Sequence, residues 1–83
     1  MTFSISFDPH AEKEFLSLEK PLRERIIKKL ELARTNPKSF FERLEDRDDY
    51  KLRIGDYRLI ADIDFNSKKI DVTKVGHRKN VYD

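Results

Sequence analysis

The chain begins with alternating apolar and polar residues and then changes to a helical spacing. Apolar side chains occupy every second position of "TFSISF", residues 2–7, which is the period of a half-buried strand. In the following "DPH", Asp8 is a suitable helix cap and Pro9 fits the first helical turn. Apolar positions then recur every three or four residues until an Asn-Pro pair at positions 36–37. This pattern predicts one strand followed by two helices, which are separated by the Lys-Pro pair at positions 20–21.

The second half of the chain returns to a period of two. "YKLRIGDYRLI", residues 50–60, predicts two strands joined by a turn at Gly55 and Asp56, and "KKIDVTKVGH", residues 68–77, predicts a third. Residues 38–49 have no regular period, and we expect their apolar side chains to fix a loop to the core. The predicted order is β-α-α-β-β-β. It indicates a two-layer α+β fold with an N-terminal strand, a helical hairpin and a three-stranded antiparallel meander.

Length and composition narrow the class of protein. Eighty-three residues predict a single domain spanning residues 1–83. The chain has no cysteine, its two histidines are His10 and His77, and no spaced set of carboxylates joins them, so we expect no metal and no cofactor. It contains no apolar run long enough to span a membrane and no signal-peptide pattern at its start. We therefore expect a soluble, cytoplasmic protein.

Charge is unevenly distributed along the chain. Residues 1–49 contain 10 Lys and Arg against 11 Asp and Glu, whereas residues 50–83 contain 8 against 5. A basic C-terminal part is a weak indication of a polyanionic partner.

The predicted hairpin places like charges beside one another. With a two-residue turn, Arg53 lies directly opposite Arg58, and Lys51 lies two residues earlier on the same face. Like charges that face each other destabilise a sheet, whereas a phosphate between them would turn repulsion into charge-assisted contacts. The alternative is a salt-bridged surface in which Asp62 and Asp64 neutralise the arginines. The pattern alone favours that alternative.

The C-terminal segment "KVGHRKNVYD" favours a functional site over a salt-bridged surface. His77 can exchange a proton near neutral pH, Arg78 can hold a phosphate, and Tyr82 can stack on a base. Each of them also has an ordinary surface or packing interpretation. Their combination with the cationic hairpin is more specific than any one of them.

The element order, "YKLRIGDYRLI" and "VGHRKNVYD" together resemble the RelE toxins of the RelE/ParE superfamily, over essentially the whole chain. The resemblance implies a RelE-like microbial RNase fold. It also implies the toxin of a type II toxin–antitoxin pair, a metal-independent endoribonuclease that cleaves mRNA in the ribosomal A site and inhibits translation. In such toxins a ribose 2′-OH attacks the adjacent phosphate, which leaves a 2′,3′-cyclic phosphate and a 5′-hydroxyl.

Carried over by position, the resemblance assigns five site residues. Lys51 and Arg53 match basic positions of the first hairpin strand, and Arg58 matches the arginine that holds the scissile phosphate. Arg78 matches an arginine implicated in charge stabilisation or leaving-group protonation, and Tyr82 matches a tyrosine that stacks on a nucleotide.

The chain departs from the family pattern at two places. Asp49 stands nearest to the position of a further family lysine, and the segment between Arg78 and Tyr82 is shorter. Crowded cations favour the neutral form of a lysine, so we expect Lys51 to be the proton acceptor, with the additional His77 second.

The resemblance leaves alternative functions open. One is a ParE-like poison of DNA gyrase, and another is a catalytically weakened member that acts mainly through antitoxin and DNA binding. The implied partners are a RelB-type antitoxin, the ribosome and mRNA, with DNA contacted only through the antitoxin complex and no membrane partner. Apolar positions expected to be exposed, such as Ile60, are consistent with a wrapping antitoxin.

Overall fold

The computed structural model describes residues 2–79 of the chain, so the predicted site residue Tyr82 lies outside the described residues. In chain order the elements are β1 (Ser4–Phe7), α1 (Pro9–Leu16), α2 (Lys20–Ala33), α3 (Pro37–Phe40), β2 (Glu42–Arg43), β3 (Tyr50–Ile54), β4 (Tyr57–Asp64) and β5 (Lys69–His77). The predicted α+β class and the order of its main elements are confirmed.

The strands form one open sheet in the order β1-β5-β4-β3-β2. β3, β4 and β5 are the predicted antiparallel meander, while β1 joins the far side of β5 in parallel. The sheet is therefore mixed. Its central strands supply most of the core, and the largest fully buried side chains of the sheet are Leu52, Leu59, Ile70 and Val72.

The helices cover one face of this sheet. Asp8 caps α1 by accepting a hydrogen bond from the backbone N–H of Ala11 at 2.8 Å, and Pro9 occupies the first helical position as predicted. On α2 the buried face consists of Ile26, Leu30 and Ala33, at the spacing of a single helical stripe. No helix within residues 2–79 is long and apolar enough to cross a membrane.

Residues 37–44 are more regular than the sequence predicts. They form the short helix α3 and the two-residue strand β2, which pairs with β3. Elements this short contain only about one period of the helix or strand pattern, so the sequence pattern does not predict them. The loop that follows places Leu44 over Ile60, and only 2% of Ile60 is exposed. The expectation that Ile60 is an exposed apolar residue was therefore wrong, because β2 and its loop cover that part of the sheet.

A β-bulge interrupts β5 at Thr73. Val72 and Lys74, on either side of Thr73, lie opposite consecutive residues of β4, so Thr73 has no opposite residue. The extra residue exchanges the two faces of the strand beyond it. Val75 and His77 consequently continue the face that packs on the helices, and Lys74 faces away from them.

Candidate anion-binding face

The sheet face turned away from the helices, here called the open face, divides into two charged ends. The basic end, beside the β3–β4 turn, consists of Lys51, Arg53, Arg58 and Lys74. The acidic end, towards the end of β4, consists of Asp49, Asp62 and Asp71. Alternation along the strands and the pairing of β3, β4 and β5 place the strand residues of both sets on this face. Asp49 directly precedes β3, and its charge acts on Asp62.

Arg53 and Arg58 lie directly opposite each other, as the two-residue turn predicts. Opposite side chains on one face have Cβ atoms about 4.5–5.5 Å apart, and like charges there are destabilising. On the other side of Arg58 the neighbour is Gly76, which has no side chain to fill the space. The two arginines thus form a cationic pair beside a gap in the side-chain layer.

Two lysines occupy the next row of the basic end. Lys51 and Lys74 lie on either side of Ile60, on β3 and β5. Lys51 is only 6% exposed, because β2 and its loop lie beside it, and its opposite residue on β2 is Glu42. Together with Glu42 and the loop residue Glu45, it lines a depression of about 330 Å³. The site therefore includes a carboxylate beside Lys51 that the sequence pattern did not predict.

Lys74 is the cation that sequence reasoning missed. A strict period of two from Ile70 and Val72 would direct Lys74 towards the helices, and only the bulge at Thr73 returns it to the open face. One signal was available in the sequence: the apolar positions Ile70, Val72 and Val75 are spaced by two residues and then by three.

At the acidic end, Asp62 lies opposite Asp71 on β5. Partial burial raises the pKa of Asp62, and the charges of Asp49, Asp71 and Asp8 raise it further, while Arg47 acts in the opposite direction. Arg47 also donates a hydrogen bond to Asp49 at 2.5 Å. Asp62 is therefore surrounded mainly by other carboxylates.

Asp64 has a local structural role. Its carboxylate accepts hydrogen bonds from the backbone N–H groups of Ser67, at 3.2 Å, and Asn66, at 2.9 Å, in the β4–β5 turn. Contacts with Ser67 and then Asn66 hold the pKa of Asp64 below its usual value. Asp62 lies four residues from Arg58, about 13 Å along the strand. The two carboxylates thus serve the acidic end and the turn, and in the strand register neither of them stands next to the arginine pair.

His77 lies on the opposite face of the sheet from Arg58. It pairs with Tyr57, and the two rings meet edge to face with centroids 5.3 Å apart. Its Nδ1 accepts a hydrogen bond from the backbone N–H of Lys79 at 3.1 Å. The bulge at Thr73 is the physical reason for this placement. The structure therefore does not bring His77 together with the basic end.

Arg78 lies just beyond β5 and next to the β3–β4 turn. Its backbone N–H donates to the carbonyl oxygen of Asp56 at 2.8 Å, which extends the pairing of β4 and β5 by one residue. This bond fixes its backbone at the same end of the sheet as Arg53 and Arg58. Of the predicted site residues, the structure thus gathers Lys51, Arg53, Arg58 and Arg78 at one end of the sheet.

Comparison with known proteins identifies the class. A family model described as the ParE toxin of a type II toxin-antitoxin system, parDE, matches residues 5–82. The chain belongs to this family and is the toxin of a type II toxin–antitoxin system. A search of curated proteins gave no match.

Solved structures refine this assignment to a RelE-type toxin of the RelE/ParE superfamily. The toxin of the intact E. coli RelBE complex is 28% identical, with a TM-score of 0.79, and the match covers 90% of this chain and 95% of that one. The archaeal RelE–RelB complex from Pyrococcus horikoshii OT3 gives 26%, a TM-score of 0.80, and coverage of 98% and 100%. RelBE2 from Mycobacterium tuberculosis shares the fold, with a TM-score of 0.85 at 20% identity and coverage of 94% and 100%.

Proposed function

We propose that this toxin is a ribosome-dependent mRNA endonuclease and that the basic end of the open face binds the scissile phosphate. The observation that carries the proposal is that Arg53 and Arg58 lie directly opposite each other, with Lys51 and Lys74 in the next row of the same face. Two cations held against each other have a stability cost that an anion between them would remove. Real proteins break such local rules mostly at functional sites.

The proposed reaction is an internal transesterification. The ribose 2′-oxygen attacks the adjacent phosphorus, a 2′-O–P bond forms, and the P–5′-O bond breaks. One proton leaves the 2′-hydroxyl and one is delivered to the 5′-oxygen, so that the products are a 2′,3′-cyclic phosphate and a 5′-hydroxyl. The step balances without water or a co-reactant. It requires a proton acceptor, a proton donor and cations to stabilise the pentavalent phosphorane.

The residues of the basic end supply these roles in the proposal. Arg53 and Arg58 hold the non-bridging oxygens, where fixed cations stabilise the charge that develops in the transition state. Lys51 is the proton acceptor, since it is the sheltered amine of the basic end. Arg78 stabilises charge or protonates the leaving oxygen, and Tyr82 stacks on a nucleotide.

His77 ranks second as the proton acceptor. Its ring lies on the helix side of the sheet, and it can approach a phosphate bound at the basic end only around the end of β5. A His77→Gln variant that keeps full cleavage would agree with Lys51 as the base.

The proposed partners follow from the related complexes. Each of the three related toxins has been crystallised with its RelB antitoxin, which supports a RelB-type antitoxin for this chain. We further propose the ribosomal A site and mRNA as the substrate, and DNA contact only through the antitoxin complex.

A second candidate function is poisoning of DNA gyrase. It is favoured by the matching family model, which is described as a ParE toxin. A third is a catalytically weakened toxin, for which Asp49 is the supporting residue. Neither of them requires Arg53 and Arg58 to face each other.

The deciding experiment is cleavage of ribosome-bound mRNA by the purified chain. Wild type should cut within the A-site codon and leave 5′-hydroxyl ends, as mapped by primer extension and end labelling. Arg58→Ala should lower the cleavage rate by about 10²–10³-fold, the usual loss on removing one transition-state contact. The matched control is Lys69→Ala, which removes an exposed cation from β5 opposite Asp64.

Three results would contradict the proposal. Trapped gyrase–DNA complexes with intact messages would support the ParE-like alternative. A wild-type chain that binds its antitoxin but neither cuts mRNA nor traps gyrase would support the weakened toxin. Equal losses of cleavage rate in Arg58→Ala and Lys69→Ala would contradict the proposal that the basic end binds the scissile phosphate.

A further inference from the structure

A second basic surface lies beside the open face, in a groove of about 260 Å³ between α2 and the β3–β4 turn. Four cations line it: Arg25, Lys28 and Lys29 from the helix and Arg53 from the strand. β2 pairs only with the first two residues of β3, so the outer edge of β3 is uncovered at Arg53. The groove therefore opens directly onto the basic end.

The helical cations form one stripe. Arg25, Lys28 and Lys29 have the i, i+3, i+4 spacing that places side chains on one helix face. Like charges at i and i+4 weaken a helix. Two carboxylates of α2 lie near this stripe. Glu31 pairs with Arg34 at 3.3 Å, and Glu24 lines a neighbouring groove together with Lys28. No acidic side chain of the described residues lines the groove between α2 and the turn.

Gly55 connects this stripe to the hairpin. Its φ of +59° lies in the left-handed region, which favours glycine. A Cβ atom at this position would lie 2.9 Å from Nη2 of Arg25, so the guanidinium lies against the bare turn. Lys29 is held differently, with its ammonium 5.8 Å from the centre of the Phe40 ring. The groove thus has two positioned cations, one on each side of Lys28.

We infer that this groove binds the phosphodiester backbone of a second RNA segment, in addition to the phosphate held at the basic end. The inference rests on the proposed function, because Arg53 belongs both to the groove and to the proposed cleavage site. Arginine and lysine are the usual phosphate ligands, and a cluster of them without carboxylates suits a polyanion. The groove positions RNA and takes no part in bond breaking.

The test compares two double variants with equal loss of charge. Arg25→Ala/Lys28→Ala removes two groove cations, and Lys13→Ala/Lys20→Ala removes two exposed cations outside the groove. The probe is a fluorescent, unstructured 12-nucleotide RNA, whose Kd is measured between 50 and 200 mM salt. Each phosphate contact contributes about 0.7 to the slope of log K against log salt for single strands. Loss of two contacts should lower the slope by about 1.4 and weaken binding roughly 25-fold at 0.1 M salt.

Cleavage kinetics separate this inference from the proposed function. On ribosome-bound mRNA the groove variant should raise KM with little change in kcat, and the control variant should match wild type. If wild type does not cleave but the groove variant still lowers the salt slope, the groove stands and the proposed function fails. If wild type cleaves and both double variants bind RNA alike, the groove inference is overturned. Weaker antitoxin binding with an unchanged RNA slope would overturn it too, in favour of an acidic protein segment.

Discussion

The two ends of the open face differ in how their like charges are accommodated. At the acidic end, two features reduce the repulsion between the carboxylates. Arg47 donates a hydrogen bond to Asp49, and the raised pKa of Asp62 lets that carboxyl take up a proton more readily. At the basic end Arg53 and Arg58 lie directly opposite each other, and Lys51 in the next row lies opposite Glu42 of β2. The two ends thus differ in the group that each would attract: the acidic end already holds Arg47, and the proposed ligand of the basic end is a phosphate.

The largest effect is expected from the buried lysine of the basic end. Lys51→Ala removes the proposed proton acceptor, and loss of a general base typically costs 10²–10⁴-fold in rate. The measurement is single-turnover cleavage of ribosome-bound mRNA, with urea denaturation of the variant as the check on folding. His77→Gln serves as the control for the second-ranked base. Full activity of Lys51→Ala beside an inactive Arg58→Ala would show that Lys51 is not the base.

A smaller effect is expected from Lys74, the cation that the bulge adds to the basic end. Lys74→Ala should raise KM about fivefold at 0.1 M salt, which corresponds to one phosphate contact, and should leave kcat largely intact. Lys69→Ala, on the same strand before the bulge, is the matched control. Equal KM values for Lys74→Ala and Lys69→Ala would contradict the assignment of RNA binding to the basic end.

Relief of the arginine pair should change stability in the opposite direction from activity. Arg53→Thr places a β-forming residue opposite Arg58 and removes a like-charge contact, so the free energy of unfolding should rise by about 0.2–1 kcal/mol. Cleavage should fall in the same variant. Thermal unfolding and cleavage assays on one preparation test both parts. A variant that loses both stability and activity would indicate that Arg53 has a structural role.

The smallest effect is expected at the acidic end. The pKa of Asp62 is raised, so the folded state holds its proton more tightly than the unfolded state, whose pKa is near 3.8. Stability therefore decreases as the pH rises from about 4 through the raised pKa of the folded state. Asp62→Asn removes this dependence and should be more stable than wild type at pH 7, by a few tenths of a kcal/mol once solvent screening is considered.

Asp64→Asn is the control of opposite sign. The pKa of Asp64 is lowered, so its contribution to stability is present above pH 3.8 and is lost as the pH falls through the folded value. Asp64→Asn should therefore be less stable than wild type at neutral pH, with the difference vanishing in acid. Urea titrations between pH 3 and 7 measure both variants. If both variants differed from wild type in stability in the same direction at neutral pH, the opposite pKa shifts assigned to Asp62 and Asp64 would be wrong.

The sequence pattern predicted the register of the β3–β4 hairpin, but it did not predict how β2 and β5 pair on either side of that hairpin. The register of Arg53 and Arg58 follows from a two-residue turn and the period of a strand, and both are short-range properties. The burial of Lys51 and Ile60 depends on a two-residue strand, which has no periodic signature. The faces of Lys74 and His77 depend on one extra residue at Thr73. Such features arise from pairing between strands, which a pattern along a single strand does not describe.

The contact between Glu14 and β5 bears on how this sheet meets other chains. β1 accompanies β5 only as far as Val72, and beyond that point a carboxylate oxygen of Glu14 accepts the backbone N–H of Val75 at 2.9 Å. A side chain from α1 therefore occupies a hydrogen-bonding position that a neighbouring strand would otherwise use. Uncovered strand edges invite pairing between molecules, and a charged group is one of the ways in which proteins prevent it. A strand from another chain could therefore not pair with β5 beyond Val72 unless this carboxylate moved away.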